Sequence, residues 1–307
     1  MPSSAQAPYI SVIAPAKINL YLHVTGRRDD GYHLLDSLMV FADVADLITI
    51  HAASRFSFSI EGAYASAFSA ADKDESKDSK NLAVRAAYAC AAHFNRKLDF
   101  RVTLAKNVPL ASGIGGGSAD AAAVIWGLIR FWGLKPPPLS TLMPLLLSLG
   151  ADVPVCYLCH AAHVTGIGEK LFPIEHLPEW HAVLVNPRQS CPTPEIFKAY
   201  KEGGAAFSAP VKLPDDIDDR RGLLDFIREQ GNDLQDAAIN KIPAINDVIN
   251  KLQQTVNVEL VRMSGSGATV FALYPDSESA AQTVEMIQAQ HPSWWVRACV
   301  LNRVVRY

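Results

Sequence analysis

The chain has 307 residues, 49% of them hydrophobic, and a formal net charge of −3. At roughly 100–200 residues per domain that length points to two domains, and the charge balance supplies no basic stripe for a nucleic-acid partner. No apolar run reaches the roughly 18 residues of a membrane span, the start Met1-Pro-Ser-Ser-Ala-Gln-Ala-Pro-Tyr9 lacks secretory or transit features, and the scattered cysteines make no disulfide framework, so a cytoplasmic protein is expected.

Residues 10–24 and 38–51 carry the β-branched, partly alternating character of strands, and residues 56–60 alternate strictly. Residues 70–80 are charged, small and without apolar anchors, which reads as a mobile surface loop. Asn81 opens a helix with Leu82, Ala86 and Ala89 on its apolar face, residues 100–104 read as a strand, and a glycine-dense loop runs into a helix from near Ser118 to Phe131. Gly133 and Pro136-Pro-Pro138 stop that helix, and another over 139–149 ends at Gly150. The apolar stretch around Cys156 and Cys159 reads as strand-like. Its CxxC spacing has no second copy and no flanking cation, so these are buried thiols rather than metal or redox ligands. Beyond Gly168 follow a strand over 181–186, a polar, Gly/Pro-broken stretch over 203–221, the segment 232–254, strands at 260–263 and 269–274, a helix from Ser277 and a last strand near Val296. The sum is α+β in two domains, 1–165 and 166–307.

Pro109, Leu110, Ala111, Ser112, Gly113, Ile114, Gly115, Gly116, Gly117, Ser118 and Ala119 narrow the function most. Four glycines in five positions let successive N–H groups face one anion with no side chain in the way. The helix behind adds uncapped N–H groups and the positive end of its dipole, so an oligophosphate is the expected ligand. No Lys-Ser or Lys-Thr follows the last glycine, which excludes the GxxxxGK[ST] loop, and the spacing fails the GxGxxG dinucleotide pattern. Phosphoryl transfer also needs neutralising charge, an acceptor hydroxyl held in line, and a group to take its proton. Lys17, a cation inside an apolar strand, and Asp152, between Gly150-Ala and Val-Pro-Val, are the candidates, because neither charge suits an apolar run without a partner.

Ala14-Pro-Ala-Lys-Ile-Asn-Leu20, Pro109 to Asp120 and Arg262-Met-Ser-Gly-Ser-Gly-Ala-Thr269 resemble, in order, the three motifs of the GHMP kinases, the superfamily of galacto-, homoserine, mevalonate and phosphomevalonate kinases. Gly26-Arg-Arg-Asp-Asp-Gly-Tyr-His33, Gly150-Ala-Asp-Val-Pro-Val155 and Cys191-Pro-Thr-Pro-Glu-Ile-Phe197 further resemble the branch that phosphorylates the 2-hydroxyl of a cytidine diphosphate methylerythritol in isoprenoid synthesis. The resemblance implies a two-domain GHMP kinase-like fold with the active site in the interdomain cleft, ATP and Mg2+ as cofactors, and that small molecule as acceptor. It implies Asp152 as general base and Lys17 as its partner. The physics agrees, since a cation there favours both the carboxylate and the developing alkoxide. It assigns Tyr32 and Phe197 to bracket cytosine, His33 to the base edge, Asn19 and Thr193 to the methylerythritol and diphosphate end, and Asn81, Leu82 and Lys106 to ATP. Mg2+ would arrive with ATP beside Ser118 and Asp152; no acidic residue stands out as a further ligand. Ser112, in place of the usual glycine or alanine, either adds a hydroxyl to the phosphate site or turns outward. Two alternatives stay open: a GHMP kinase of homoserine or mevalonate type, opposed by Tyr32-His33 and residues 191–197, and a non-catalytic nucleotide sensor, opposed by the presence of both Lys17 and Asp152.

Overall fold

The computed structural model describes residues 9–303. Two long strands, β1 (Tyr9–Arg27) and β2 (His33–Ala52), pair antiparallel from end to end. Their turn is closed by the Arg28 N–H donating to the Tyr32 carbonyl at 2.8 Å. The register slips between Pro15 and Lys17 and again between Asn19 and Tyr21. Such bulges re-aim side chains, and these two isolate the Lys17–Asn19 stretch from the regular ladder.

In chain order there follow β3 (Ser57–Glu61), α1 (Leu82–His93), β4 (Phe100–Ala105), α2 (Gly116–Phe131), α3 (Leu139–Leu149), α4 (Val153–Leu158), β5 (Ala162–Gly166), β6 (Lys170–Pro173) and β7 (Trp180–Asn186). The chain continues as α5 (Thr193–Glu202), α6 (Arg220–Glu229), α7 (Gln235–Lys241), α8 (Ala244–Gln253), β8 (Leu260–Met263), β9 (Val270–Tyr274), α9 (Ser277–Gln290) and β10 (Trp295–Leu301). The far edge of β2 carries β5 opposite residues 35–39 and β4 opposite residues 47–52, with β3 parallel to β4. A second, antiparallel sheet in the order β10-β7-β9-β8 joins the first where Leu301 meets Ala42.

Helix α2 lies on β1 and β2 through a face of small residues, Ala119 and residues 121–123, all buried. A Cβ on Gly127 would stand 2.7 Å from the Ile50 Cδ1, so glycine there sets how closely the helix approaches the sheet. Ile18 and Leu20 of β1 and Val40 of β2 share one core with Trp180, Leu184, Phe271 and Trp295, which welds the two sheets. Each fully buried aliphatic side chain of that kind contributes about 1.5–3 kcal/mol. No helix among the described residues is long and apolar enough to cross a membrane.

Three expectations change. Residues 153–158 form a helix rather than a strand, because a short apolar run has no decisive period while Pro154 presets its first turn. Residues 70–80 are not loose: Ser69 and Asp72 form a capping box on a 3-10 turn, Glu75 accepts the Phe58 N–H at 2.9 Å, and Tyr88 donates to the Glu75 carbonyl at 2.9 Å. Helix α5 forms over residues read only as a motif, and α6 begins at Arg220, inside the stretch read as broken. The position 165/166 falls within β5, which stays on β2; the chain crosses to the second sheet between Pro173 and Trp180.

Candidate active site

A cleft of about 870 Å³ is walled by β1, the β1–β2 turn, the glycine loop, Asp152, the start of α5 and the Gly265-Ser266 turn. Its construction begins with the loop. Gly115 caps α2 at φ 68° with no side-chain hydrogen bond, so the first-turn N–H groups are left for a ligand. A Cβ there would press at 3.3 Å on the Lys17 Cβ and Cε, so the glycine also gives passage to the lysine stem. Lys17 returns the contact by donating its N–H to the Ile114 carbonyl at 2.9 Å.

Gly113, at φ 74°, is where the second and third motifs meet: a Cβ would collide with the Ser264 carbonyl and stand 2.6 Å from the Gly267 nitrogen. Gly116 and Gly117 are helical, so they supply space rather than unusual backbone angles. Ser112 takes neither of its two expected roles, being buried with its hydroxyl donating to the Pro109 carbonyl at 2.6 Å.

The Lys17 ammonium lies 3.3 Å from the Asp152 carboxylate, with side chains 4% and 36% exposed, so the cation is buried behind an anion that faces the cleft. Asp152 stands at the N-cap of α4 without a side-chain hydrogen bond to the helix, so its carboxylate is not tied to the helix N–H groups. Lys17 is steadied by donating to the Asn19 Oδ1 at 2.9 Å, and Asn19 in turn donates to the Ser37 hydroxyl at 2.8 Å. The Asn19 amide, expected at the acceptor, is therefore committed to holding Lys17. Its backbone N–H donates to the Ser264 hydroxyl at 3.1 Å, which fastens β1 to the third motif.

Lys106 also departs from expectation. Its ammonium is fully buried between Asp46 at 2.6 Å and Asp120 at 2.7 Å, beneath Gly116. Burial works against that charge, but the two carboxylates outweigh it and raise the ammonium above its ordinary pKa. Burial pushes Asp120 up to about 7, against the pull of Lys106. The other Asp46 oxygen accepts the N–H groups of Asn107 and Val108 at 2.5 and 2.9 Å, so the cluster anchors the entry to the glycine loop. Lys106 is thus a floor strut rather than an open cation for ATP.

At the opposite end, His33 stacks on Phe197 with ring centroids 4.9 Å apart and planes 23° from parallel. Burial, then Arg27 and Lys201, lower the His33 pKa. Tyr32, expected to face Phe197 across a base, is 58% exposed on the rim. Thr193 shares a 2.8 Å hydrogen bond with Ser266. Asn81 caps α1 by accepting the Ala83 N–H at 3.0 Å, and Leu82 sits beside Gly117 beyond the loop. The cysteines at 156 and 159 are buried and form no disulfide among the described residues. Sequence reasoning quoted the third motif but named no site residue in it, and so missed Ser264 and Ser266. It also missed Asp46 in β2 and Asp120 in α2, although a charge inside an apolar run is the signal that singled out Lys17.

Comparison with known proteins matches residues 81–160 to the GHMP kinases N terminal domain and residues 216–293 to the GHMP kinases C terminal domain. The chain is 42% identical to the 4-diphosphocytidyl-2-C-methyl-D-erythritol kinase of Roseobacter denitrificans, over 95% of this chain and 94% of the relative. It is 44% identical to the enzyme of the same name from Ruegeria pomeroyi, over 96% of this chain and 99% of the relative. The crystal structure of a 4-(cytidine 5'-diphospho)-2C-methyl-D-erythritol kinase superposes with a TM-score of 0.75 at 28% identity, covering 96% of this chain and all of that one.

Proposed function

The chain belongs to the 4-diphosphocytidyl-2-C-methyl-D-erythritol kinase family of the GHMP kinases, and from that membership we propose how its cleft performs the transfer. The protein is an ATP-dependent small-molecule kinase of isoprenoid precursor synthesis, and its acceptor is 4-diphosphocytidyl-2-C-methyl-D-erythritol. The observation that carries the mechanism is the cleft-facing Asp152 carboxylate, 3.3 Å from a buried Lys17 and across from the uncapped start of α2.

ATP lays its phosphates on the N–H groups of the glycine loop and α2. The acceptor 2-hydroxyl gives its proton to Asp152 as its oxygen bonds to the γ-phosphorus, and the bond to the β,γ-bridging oxygen breaks to release ADP. Lys17 offsets the charge of the attacking oxygen, and Asn19 fixes the direction of Lys17. Mg2+ prefers a few oxygen donors beside substrate phosphates. The Ser118 hydroxyl at the start of α2 supplies such a donor and would hold it with ATP, where it neutralises phosphate charge. Phe197, His33 and Thr193 receive the cytidine diphosphate end. The division is an N-terminal ATP-binding part and a C-terminal part that meet between Pro173 and Trp180, and the compartment is the cytoplasm.

ATP consumption with and without the cytidylylated acceptor tests this reading, with homoserine and mevalonate as controls. Turnover that depends on the cytidylylated acceptor supports it. Faster turnover on homoserine or mevalonate, or ATP binding without any transfer, overturns it in favour of another GHMP kinase or a sensor.

A further inference from the structure

β1 leaves its ladder at the point where it carries the site. Asn19 faces Met39 and Tyr21 faces Leu38, so Leu20 between them has no partner residue on β2. A residue skipped in this way is left unpaired by the ladder, and Leu20 is fully buried, so water cannot serve its backbone groups. Its carbonyl accepts instead from the Arg262 guanidinium of β8 at 2.7 Å.

A buried guanidinium is a strongly disfavoured partner for a carbonyl unless its charge is met. Arg262 is 7% exposed, forms no ion pair among the described residues, and has its pKa brought down to about 10 by burial. Carbonyls alone meet its charge. The nitrogen that holds Leu20 also donates to the Ile227 carbonyl at 2.8 Å, and the other terminal nitrogen donates to the Gln230 carbonyl at 2.5 Å. Both of these carbonyls lie at the C-terminal end of α6, where the helix dipole favours a cation. Arg262 therefore clamps the bulge of β1 to the end of α6.

Two residues further on, Ser264 accepts the Asn19 N–H at 3.1 Å, so the end of β8 grips β1 at two successive residues. From between these grips the Asn19 side chain turns back to accept from the Lys17 ammonium, which lies 3.3 Å from the Asp152 carboxylate. We infer that Arg262 is a positioning residue for the transfer, holding the bulge at Leu20 so that Asn19 keeps Lys17 aimed at Asp152. Arg262 is not among the residues that line the cleft, so its effect passes through Lys17. The inference rests on Lys17 serving Asp152 in the transfer.

Single-turnover transfer from ATP to the cytidylylated acceptor, measured in the full-length protein through a double-mutant cycle of Arg262→Met and Lys17→Met, tests it. A small misplacement of Lys17 suffices for a large loss, so Arg262→Met should slow transfer about 10- to 100-fold while ATP and acceptor affinities stay nearly unchanged. In the Lys17→Met background, where transfer is already slow, the same change should slow it by less than about threefold, because the residue it acts through is gone. Arg262→Lys should recover part of the loss, since an ammonium has three donors for the carbonyls, and it carries the same cycle should the methionine variant not fold. Equal losses in the two backgrounds, or a loss seen only as weaker ATP or acceptor binding, overturn this inference alone. Transfer at the wild-type rate in Lys17→Met overturns it together with the reading of Lys17 in the mechanism.

Discussion

Phe197 and Gly116 show how single side chains divide the work of the cleft. The Phe197 ring is stacked on His33 rather than on Tyr32, so the face proposed for cytosine is shared with an imidazole. Phe197→Ala should raise the Michaelis constant for the cytidine acceptor by the equivalent of about 1–3 kcal/mol and leave turnover at saturation nearly unchanged, because a stack made equally in ground and transition states changes binding alone. Steady-state kinetics with varied acceptor checks this; a fall in turnover with an unaltered Michaelis constant would place Phe197 elsewhere in the mechanism. Gly116 works through space. A Cβ there would already stand 3.0 Å from the Lys106 ammonium, so Gly116→Val should abolish ATP binding while acceptor binding persists. Calorimetry showing wild-type ATP affinity in the folded variant would contradict the phosphate-loop assignment.

At the scale of elements, Asp36 does more joining than any motif revealed. It accepts from the Tyr21 hydroxyl at 2.7 Å, from His163 at 2.8 Å and from the Val211 N–H at 2.9 Å, which ties β1, β2, β5 and the segment before α6. Burial raises its pKa, but the His163, Val211 and Tyr21 hydrogen bonds outweigh burial and hold it below its ordinary value of 3.8. A lowered folded-state pKa contributes stability above the unfolded value, and this stability disappears as pH falls through the folded value. Asp36→Asn should therefore cost about 1.5–3 kcal/mol at pH 7 and flatten the loss of stability below about pH 4. Denaturant melts of both proteins across that window decide; equal slopes would mean that Asp36 is not the acid-sensitive tie.

The glycine loop, Lys17 and Asp152 were legible in the sequence because each is a local anomaly: glycines too dense for a turn, and charges inside apolar runs. Long-range consequences were not. Lys106 reads as a nucleotide contact until β2 and β4 pair and bring Asp46 to it from sixty residues away. Asn19 reads as an acceptor contact until the bulges of β1 turn it onto Lys17. Helix α4 was misread because six apolar residues carry no usable period.

Across the whole molecule, the site exists because the two sheets share a core and because Gly113 lets the turn at residues 264–267 seat against the loop. On the proposed reading, the acceptor's proton, the transferring phosphate and the donor's leaving group fall along one cleft. Asp152 is the point on which that arrangement turns. A single-turnover measurement of phosphoryl transfer from ATP to the cytidylylated acceptor, comparing wild type with Asp152→Asn, tests it most directly. The amide keeps the shape but cannot take the hydroxyl proton, so transfer should slow by about 10²–10⁴-fold with ATP affinity preserved. Transfer at the wild-type rate in the variant would contradict the account.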